Sequence, residues 1–266
     1  MDESPWRYAF RSVAGTAHIK SRTVCQDSSL CHSLTDVDGN EVLIGVVSDG
    51  AGTAVCSAKG AEMACDHFFA VLYEYFARGY KATEIDREYI VKWISGYQEI
   101  ILREARSANR TVKDYACTLL AVVAGSDTTV FCQVGDGAIV VSTGETRSEY
   151  AVIFWPQQGE YASTTNFLTD LNASDYLDFQ TMGAVQDVAI FTDGLERLSL
   201  VHNTKSPFAA FFQPLFDALR NAAPFDADKT SQLLEQFLSS ERVNERTDDD
   251  KTLILASRCA SPPDET

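Results

Sequence analysis

The chain has 266 residues, 45% of them apolar and 23% charged, with 15 Gly and 7 Pro, a composition that excludes disordered, collagenous and fibrous classes. At roughly 150 residues per domain, the length admits one large domain or two small ones. The 22 Lys and Arg against 38 Asp and Glu leave a net charge of −16, a field that repels phosphate backbones and anionic lipid, so neither nucleic acid nor a membrane is an expected partner.

Asp2, Glu3 and Pro5 stand where a secretory segment needs a basic start and an apolar run, which gives the expectation of a cytoplasmic protein. The apolar runs 42–47 and 119–124 are far short of the ~20 residues that cross a bilayer. Seven cysteines (25, 31, 56, 65, 117, 132 and 259) form no C-x-x-C pair and are expected to be buried free thiols.

In chain order, residues 6–14 alternate as a half-buried strand, and 42–48 form the Val/Ile/Leu run of a strand covered on both faces. The acidic turn 36–40 precedes that second strand. Ala64, Cys65, Phe68, Leu72, Tyr75 and Phe76 recur at helical spacing from Ala61 until Gly79. A second amphipathic helix begins near Asp86, with Ile90, Trp93, Ile94, Tyr97 and Ile101 on one face.

Residues 115–124, 129–134 and 138–142 then read as an antiparallel meander joined by Gly/Asp turns. A polar stretch at 157–178 follows as an excursion within a single domain spanning 1–266. Beyond it come a strand at 187–192, helices at 207–219 and 231–238, and a last strand at 252–256. Runs of strands and runs of helices, rather than strict alternation, argue an α+β fold in which helices cover antiparallel sheets.

Aspartates fall at the ends of these strands. Asp49 follows the strand at 42–48, Asp136 lies in Gly135-Asp136-Gly137 between two strands, Asp193 follows the strand at 187–192, and Asp249 precedes the last one. A fifth, Asp27, ends the loop after the first strand. Hard divalent cations take oxygen ligands and keep several waters when one or two carboxylates reach each ion. Glycine after Asp49 and Asp193 lets the backbone turn sharply and brings a carbonyl oxygen close. Any one Asp-Gly is first of all a turn dipeptide; the signal is the set.

Gly15-x-x-His18, Arg22-x-x-x-Gln26-Asp27, Asp49-Gly50-x-Gly52, Cys117-Thr118, Gly135-Asp136, Thr192-Asp193-Gly194 and Asp249-Asp250-x-Thr252 stand in this order, and in that series the chain resembles the metal-dependent protein phosphatases of type 2C in their compact bacterial form. The resemblance runs from about Phe10 to Leu255. It implies a four-layer α-β-β-α sandwich, two antiparallel sheets flanked by helix pairs, with two core Mn2+ or Mg2+ ions and a weaker third position at one end. Carried over residue by residue, it makes Asp49 the bridging carboxylate and Gly50 a carbonyl ligand. Asp193 and Asp249 become ligands of one ion, Asp27 an acid in or beside the ligand set, and Asp136 the third-metal position.

Asp249 is chosen because it stands three residues before Thr252, with Asp248 and Asp250 one place away as alternatives. Arg22, five residues before Asp27, is implied to bind the substrate phosphate in a fork. The implied reaction is hydrolysis of phosphoserine and phosphothreonine in proteins by in-line attack of a metal-bridging hydroxide, without a covalent intermediate. The partners implied are phosphorylated proteins, opposite a Ser/Thr kinase, for a monomeric enzyme. Relatives carry a flap beside the active site in the position of 157–178.

Two departures stand out: Ala51 occupies the place where many relatives have His, and Gly52-Thr53 replaces a Gly-Gly pair. His18 is a candidate proton donor, although a single loop His is more often structural. Asp36-Val37-Asp38-Gly39 looks like the start of a haloacid-dehalogenase phosphatase motif, but it precedes the buried strand instead of following it and reads as a hairpin turn. It also lacks the EF-hand spacing, with Gly39 at position four where that loop needs glycine at six. The alternative of another class is a catalytically weak or inactive pseudophosphatase, a phosphoprotein-binding module. Against it, binding alone does not need three mutually repelling carboxylates at Asp49, Asp193 and Asp249.

Overall fold

The computed structural model describes residues 6–157 and 165–259. In chain order the first half runs β1 (Trp6–Val13), α1 (Thr16–Ser21), β2 (Ser28–Thr35), β3 (Glu41–Ser48), α2 (Ser57–Ala77), α3 (Arg87–Ser107), β4 (Leu119–Ala124), β5 (Thr128–Val134), β6 (Ala138–Thr143) and β7 (Glu149–Phe154). The second half runs β8 (Asp178–Gly183), β9 (Asp187–Phe191), α4 (Glu196–Ser199), β10 (Leu200–Val201), β11 (Ser206–Pro207), α5 (Ala209–Asn221), α6 (Ala227–Leu238), α7 (Glu241–Asn244) and β12 (Lys251–Arg258).

Two five-stranded antiparallel sheets, ordered β2-β3-β4-β5-β8 and β1-β12-β9-β6-β7, lie face to face. Val42, Ile44 and Val46 of β3 point outward to α2 and α3, whereas Leu43 and Val47 point inward to Ile190 and Ile254 of the other sheet. That double burial is why β3 is apolar at nearly every position. The stripes expected on α2 and α3 are their buried faces, and Asp86 caps α3 by accepting from Tyr89 N. On the opposite side Phe211, Phe212 and Phe216 of α5, with Leu234 and Leu238 of α6, cover the second sheet. The four-layer arrangement therefore stands.

The meander does not. β4 and β5 pair, but β6 leaves for the other sheet, where it pairs with β7 and β9. The crossing is made at Gly135, whose φ of +123° an L side chain rarely adopts and where a Cβ would lie 2.5 Å from that of Thr118. Each of these strands is buried on both faces, so periodicity carries no information about which sheet receives it.

Other details adjust the expectations without changing the layers. The segment 36–40 is the β2–β3 hairpin turn, with Asp36 Oδ1 accepting from the backbone N–H of Asp38 and Asn40, both 2.9 Å away. Cys31, Cys65, Cys117 and Cys132 are buried free thiols, but Cys25, Cys56 and Cys259 are partly exposed. Within 157–178, residues 158–164 lie outside the described part of the chain. Among the described residues no helix is long and apolar enough to cross a membrane.

Candidate active site

Antiparallel pairing decides which strand ends meet. The register joins Ser28 to Ser48, Val47 to Leu120, Leu119 to Val134, Ala138 to Phe191, Phe191 to Leu253 and Val13 to Lys251. The ends of β1, β3, β5 and β9 and the starts of β2, β4, β6 and β12 therefore share one end of the sandwich. Asp27, Asp49, Asp136, Asp193 and Asp249 are all attached there.

Each carboxylate is positioned by the backbone behind it. After β3, the loop is fastened to the approach to β4: Asp49 N donates to Thr118 Oγ1 (2.9 Å), Thr118 N to Asp49 O (2.8 Å) and Ala51 N to Ala116 O (2.9 Å). Gly50 forms a β-bridge with Cys117, and a Cβ at Gly50 would lie 2.6 Å from Gln26 O. After β9, Gly194 runs so close to the neighbouring loop that a Cβ would stand 1.9 Å from Asp250 O. Asp27 is buried, and its Oδ2 accepts from Thr192 Oγ1 (2.9 Å) and Thr252 Oγ1 (2.8 Å), while its buried Oδ1 has no protein partner. Asp136 accepts a hydrogen bond from Thr165 Oγ1.

The electrostatics follow first from burying these carboxylates and then from packing like charges together. Burial pushes Asp27 up to about 7, opposed by the two threonine hydrogen bonds and reinforced by Asp250 and Asp193. Burial, then the charges of Asp136 and Asp249, push Asp193 up to about 7. Burial and the charges of Asp27, Asp193 and Asp136 hold Asp49 well above the ordinary carboxylate range. Asp136 is raised as well, chiefly by burial.

Asp249 and Asp250 part company. Asp250 is buried and saturated: its Oδ1 accepts from Gly15 N (2.7 Å) and His18 Nδ1 (2.8 Å), its Oδ2 from Gln26 N (2.6 Å). Asp249 is exposed and, with Asp248 and Asp193, lines a cleft of about 390 Å3. His18 is thus tied into the loop by Asp250. Arg22 terminates α1 with a φ of 59° and is exposed, with no side-chain partner among the described residues; no contact brings it to the carboxylates. The residues missed from sequence are those that hold others, Thr118, Thr165 and Thr192, together with the anchoring role of Asp250, which sequence offered only as an alternative ligand. Thr118, Thr192 and Asp250 lie inside the quoted motifs, so adjacency to a candidate ligand was the available signal; Thr165 carried none.

The acidic end fits hard divalent cations. Among the described residues, no three or more His, Cys, Asp or Glu side chains gather tightly enough to hold an ion by themselves, yet Mg2+ and Mn2+ ordinarily take one or two carboxylates each and complete their shells with carbonyls and water. The orphaned Oδ1 of Asp27 and the closely packed negative charges of Asp27, Asp49, Asp136 and Asp193 are a donor set that suits a hard cation.

Residues 14–239 match the family described as Protein phosphatase 2C. The chain is 36% identical over 254 residues to serine/threonine-protein phosphatase 3 of Escherichia coli (strain K12), an alignment covering 94% of this chain and 98% of that protein. Among solved structures it resembles a bacterial serine phosphatase (TM-score 0.59, 14% identity, 96% of this chain and 98% of the other). It also resembles a serine/threonine phosphatase of Staphylococcus aureus (TM-score 0.55, 14% identity, 94% of each chain). At such identities these structures speak to the fold alone.

Proposed function

The chain belongs to the protein phosphatase 2C family, and we propose that it is a metal-dependent phosphatase that hydrolyses phosphoserine and phosphothreonine in proteins. The observation that carries this reading is the convergence of Asp27, Asp49, Asp136, Asp193 and Asp249 at one end of the sandwich, where burial and neighbouring negative charge raise the pKa values of Asp27, Asp49, Asp136 and Asp193. Two divalent ions, Mn2+ or Mg2+, bound there would generate a nucleophile from water at neutral pH and neutralise phosphoryl charge.

In this reading Asp49, the Gly50 carbonyl, Asp193 and Asp249 hold the core ions, Asp27 lies against them on its threonine clasp, and Asp136 serves a third, weaker position. The Gly50 carbonyl is available because glycine lets that loop pass against Gln26 and Ser57. Asp250 anchors the α1 loop that carries Arg22, which turns its guanidinium to the substrate phosphate. The full chain 1–266 acts as one catalytic domain, with 157–178 as an excursion beside the site. The described part of that excursion is held down by Leu168 N to Cys117 O (2.8 Å) and by Gln98 to Leu168 O and Asp170 O. The enzyme works in the cytoplasm as a monomer, on phosphoproteins made by a Ser/Thr kinase.

Phosphate release from phosphothreonine and phosphoserine peptides, with Mn2+ and with chelator, tests the proposal. Native protein should turn over only with metal, and Asp193→Asn should lower kcat/KM by about 100-fold or more. Metal binding by a folded protein that releases no phosphate would instead establish a phosphoprotein-binding module.

A further inference from the structure

A second cavity, about 710 Å3, adjoins the acidic cleft, formed by α4, the β10–β11 hairpin, α5, α7 and the end of α6. Its walls are apolar: Leu198, Phe211, Leu215 and Phe237 line it, and the half-exposed ring of Phe208 stands at its edge. The same cavity is lined by Arg197, Arg242 and Arg246, all exposed.

Those arginines run against the composition of the chain. With 38 acidic residues to 22 basic ones, Arg11, Arg78, Arg103, Arg147 and Arg220 each pair with a carboxylate. None of the three at the cavity is in an ion pair among the described residues. A cationic rim over an apolar floor, on a protein of net charge −16, is complementary to an occupant that carries both carboxylates and an apolar side chain. Arg197 and Arg246 also line the acidic cleft, so the two spaces share a wall, and one extended chain can occupy both.

We propose that this cavity docks a segment of the phosphoprotein substrate in which an aromatic or aliphatic residue is flanked by Asp or Glu, while the phosphorylated residue lies in the acidic cleft. This rests on the phosphatase reading and adds sequence selectivity to it. The apolar residue supplies affinity by leaving water, and the carboxylates pair with the guanidinium groups and set the register of the chain.

The test uses phosphothreonine peptides that differ only in whether Asp-Phe-Glu stands a few residues before the phosphothreonine, a few after it, or is replaced by Gly-Ser-Gly. Two variants touch the cavity alone: Ala210→Trp fills it from an exposed position, and Arg242→Ala removes one charge. One Asp-Phe-Glu peptide should show a KM about tenfold below that of the Gly-Ser-Gly peptide at similar kcat. Both variants should erase that advantage and leave turnover of the Gly-Ser-Gly peptide unchanged.

Equal KM values across the peptides, or an advantage that survives both variants, overturn the docking site while leaving the phosphatase reading intact. Fluorescence anisotropy with a labelled, unphosphorylated Asp-Phe-Glu peptide reads docking without turnover. Binding abolished by Ala210→Trp in a protein that hydrolyses nothing keeps the docking site and removes the phosphatase reading. A dimer in sedimentation that Ala210→Trp converts to monomer gives the cavity to a second copy of the chain and overturns the proposal.

Discussion

Asp249 and Asp250 are neighbours in sequence with opposite tasks. Asp250 satisfies two backbone N–H groups and the His18 ring from a buried position, so Asp250→Ala strands the buried N–H of Gly15 and leaves the part-buried donors of Gln26 and His18 without their acceptor. It should cost about 3 kcal/mol of unfolding free energy in urea titrations, and it should weaken activity by releasing the loop that carries Arg22. Asp249 is exposed beside Asp193, so Asn in its place should leave metal-free stability within about 0.5 kcal/mol while activity in Mn2+ falls sharply. If Asp249→Asn behaves like native protein in both measurements, the ligand assignment moves to Asp248. Sequence spacing reached Asp249 through its distance from Thr252; it could not show that Asp250 is used up, because a carboxylate looks the same whether it accepts protein N–H groups or faces a cleft.

At the scale of elements, the site is made by fastening one loop to the start of the next strand. Thr118 is the fastener between β3 and β4: its Oγ1 accepts from Asp49 N, and its carbonyl accepts from Ser48 Oγ at 2.6 Å. Thr118→Val keeps the shape and removes the acceptor, so it should lower stability by about 1–2 kcal/mol and raise the Mn2+ concentration that gives half-maximal activity. An unchanged metal dependence would mean that the strand ends alone hold Asp49 in place. Much of this architecture was legible beforehand, because the stripes of α2 and α3 and the apolar run of β3 record which faces are buried. The strands β2, β7 and β8 were not, since Ser28–Thr35, Glu149–Phe154 and Asp178–Gly183 are mostly partly exposed or exposed and mix polar with apolar residues. The sheet change at Gly135 was equally hidden: Gly-Asp-Gly reads as a hairpin turn whichever sheet follows.

For the whole molecule, an acidic cluster held together by folding makes stability depend on pH and on metal together. Asp27 and Asp193 rise from 3.8 to about 7 in the folded chain, so between those values the folded state binds protons that the unfolded state has released. Their contribution to metal-free stability is complete below about pH 4 and is lost as pH rises through about 7. Divalent cations held as proposed by these carboxylates would need them deprotonated and displace those protons, so their affinity should climb through the same window. Calorimetry with Mn2+ and with EDTA should therefore show Tm curves that coincide near pH 5 and separate by roughly 5 degrees near pH 8. Asp193→Asn removes both a repelling charge and a proposed ligand, so in EDTA it should lose less stability on going from pH 5 to 8, and in Mn2+ it should gain less. A separation that is constant with pH would mean that the ions bind away from these carboxylates, since only groups that exchange protons for metal in this range can make the increment grow.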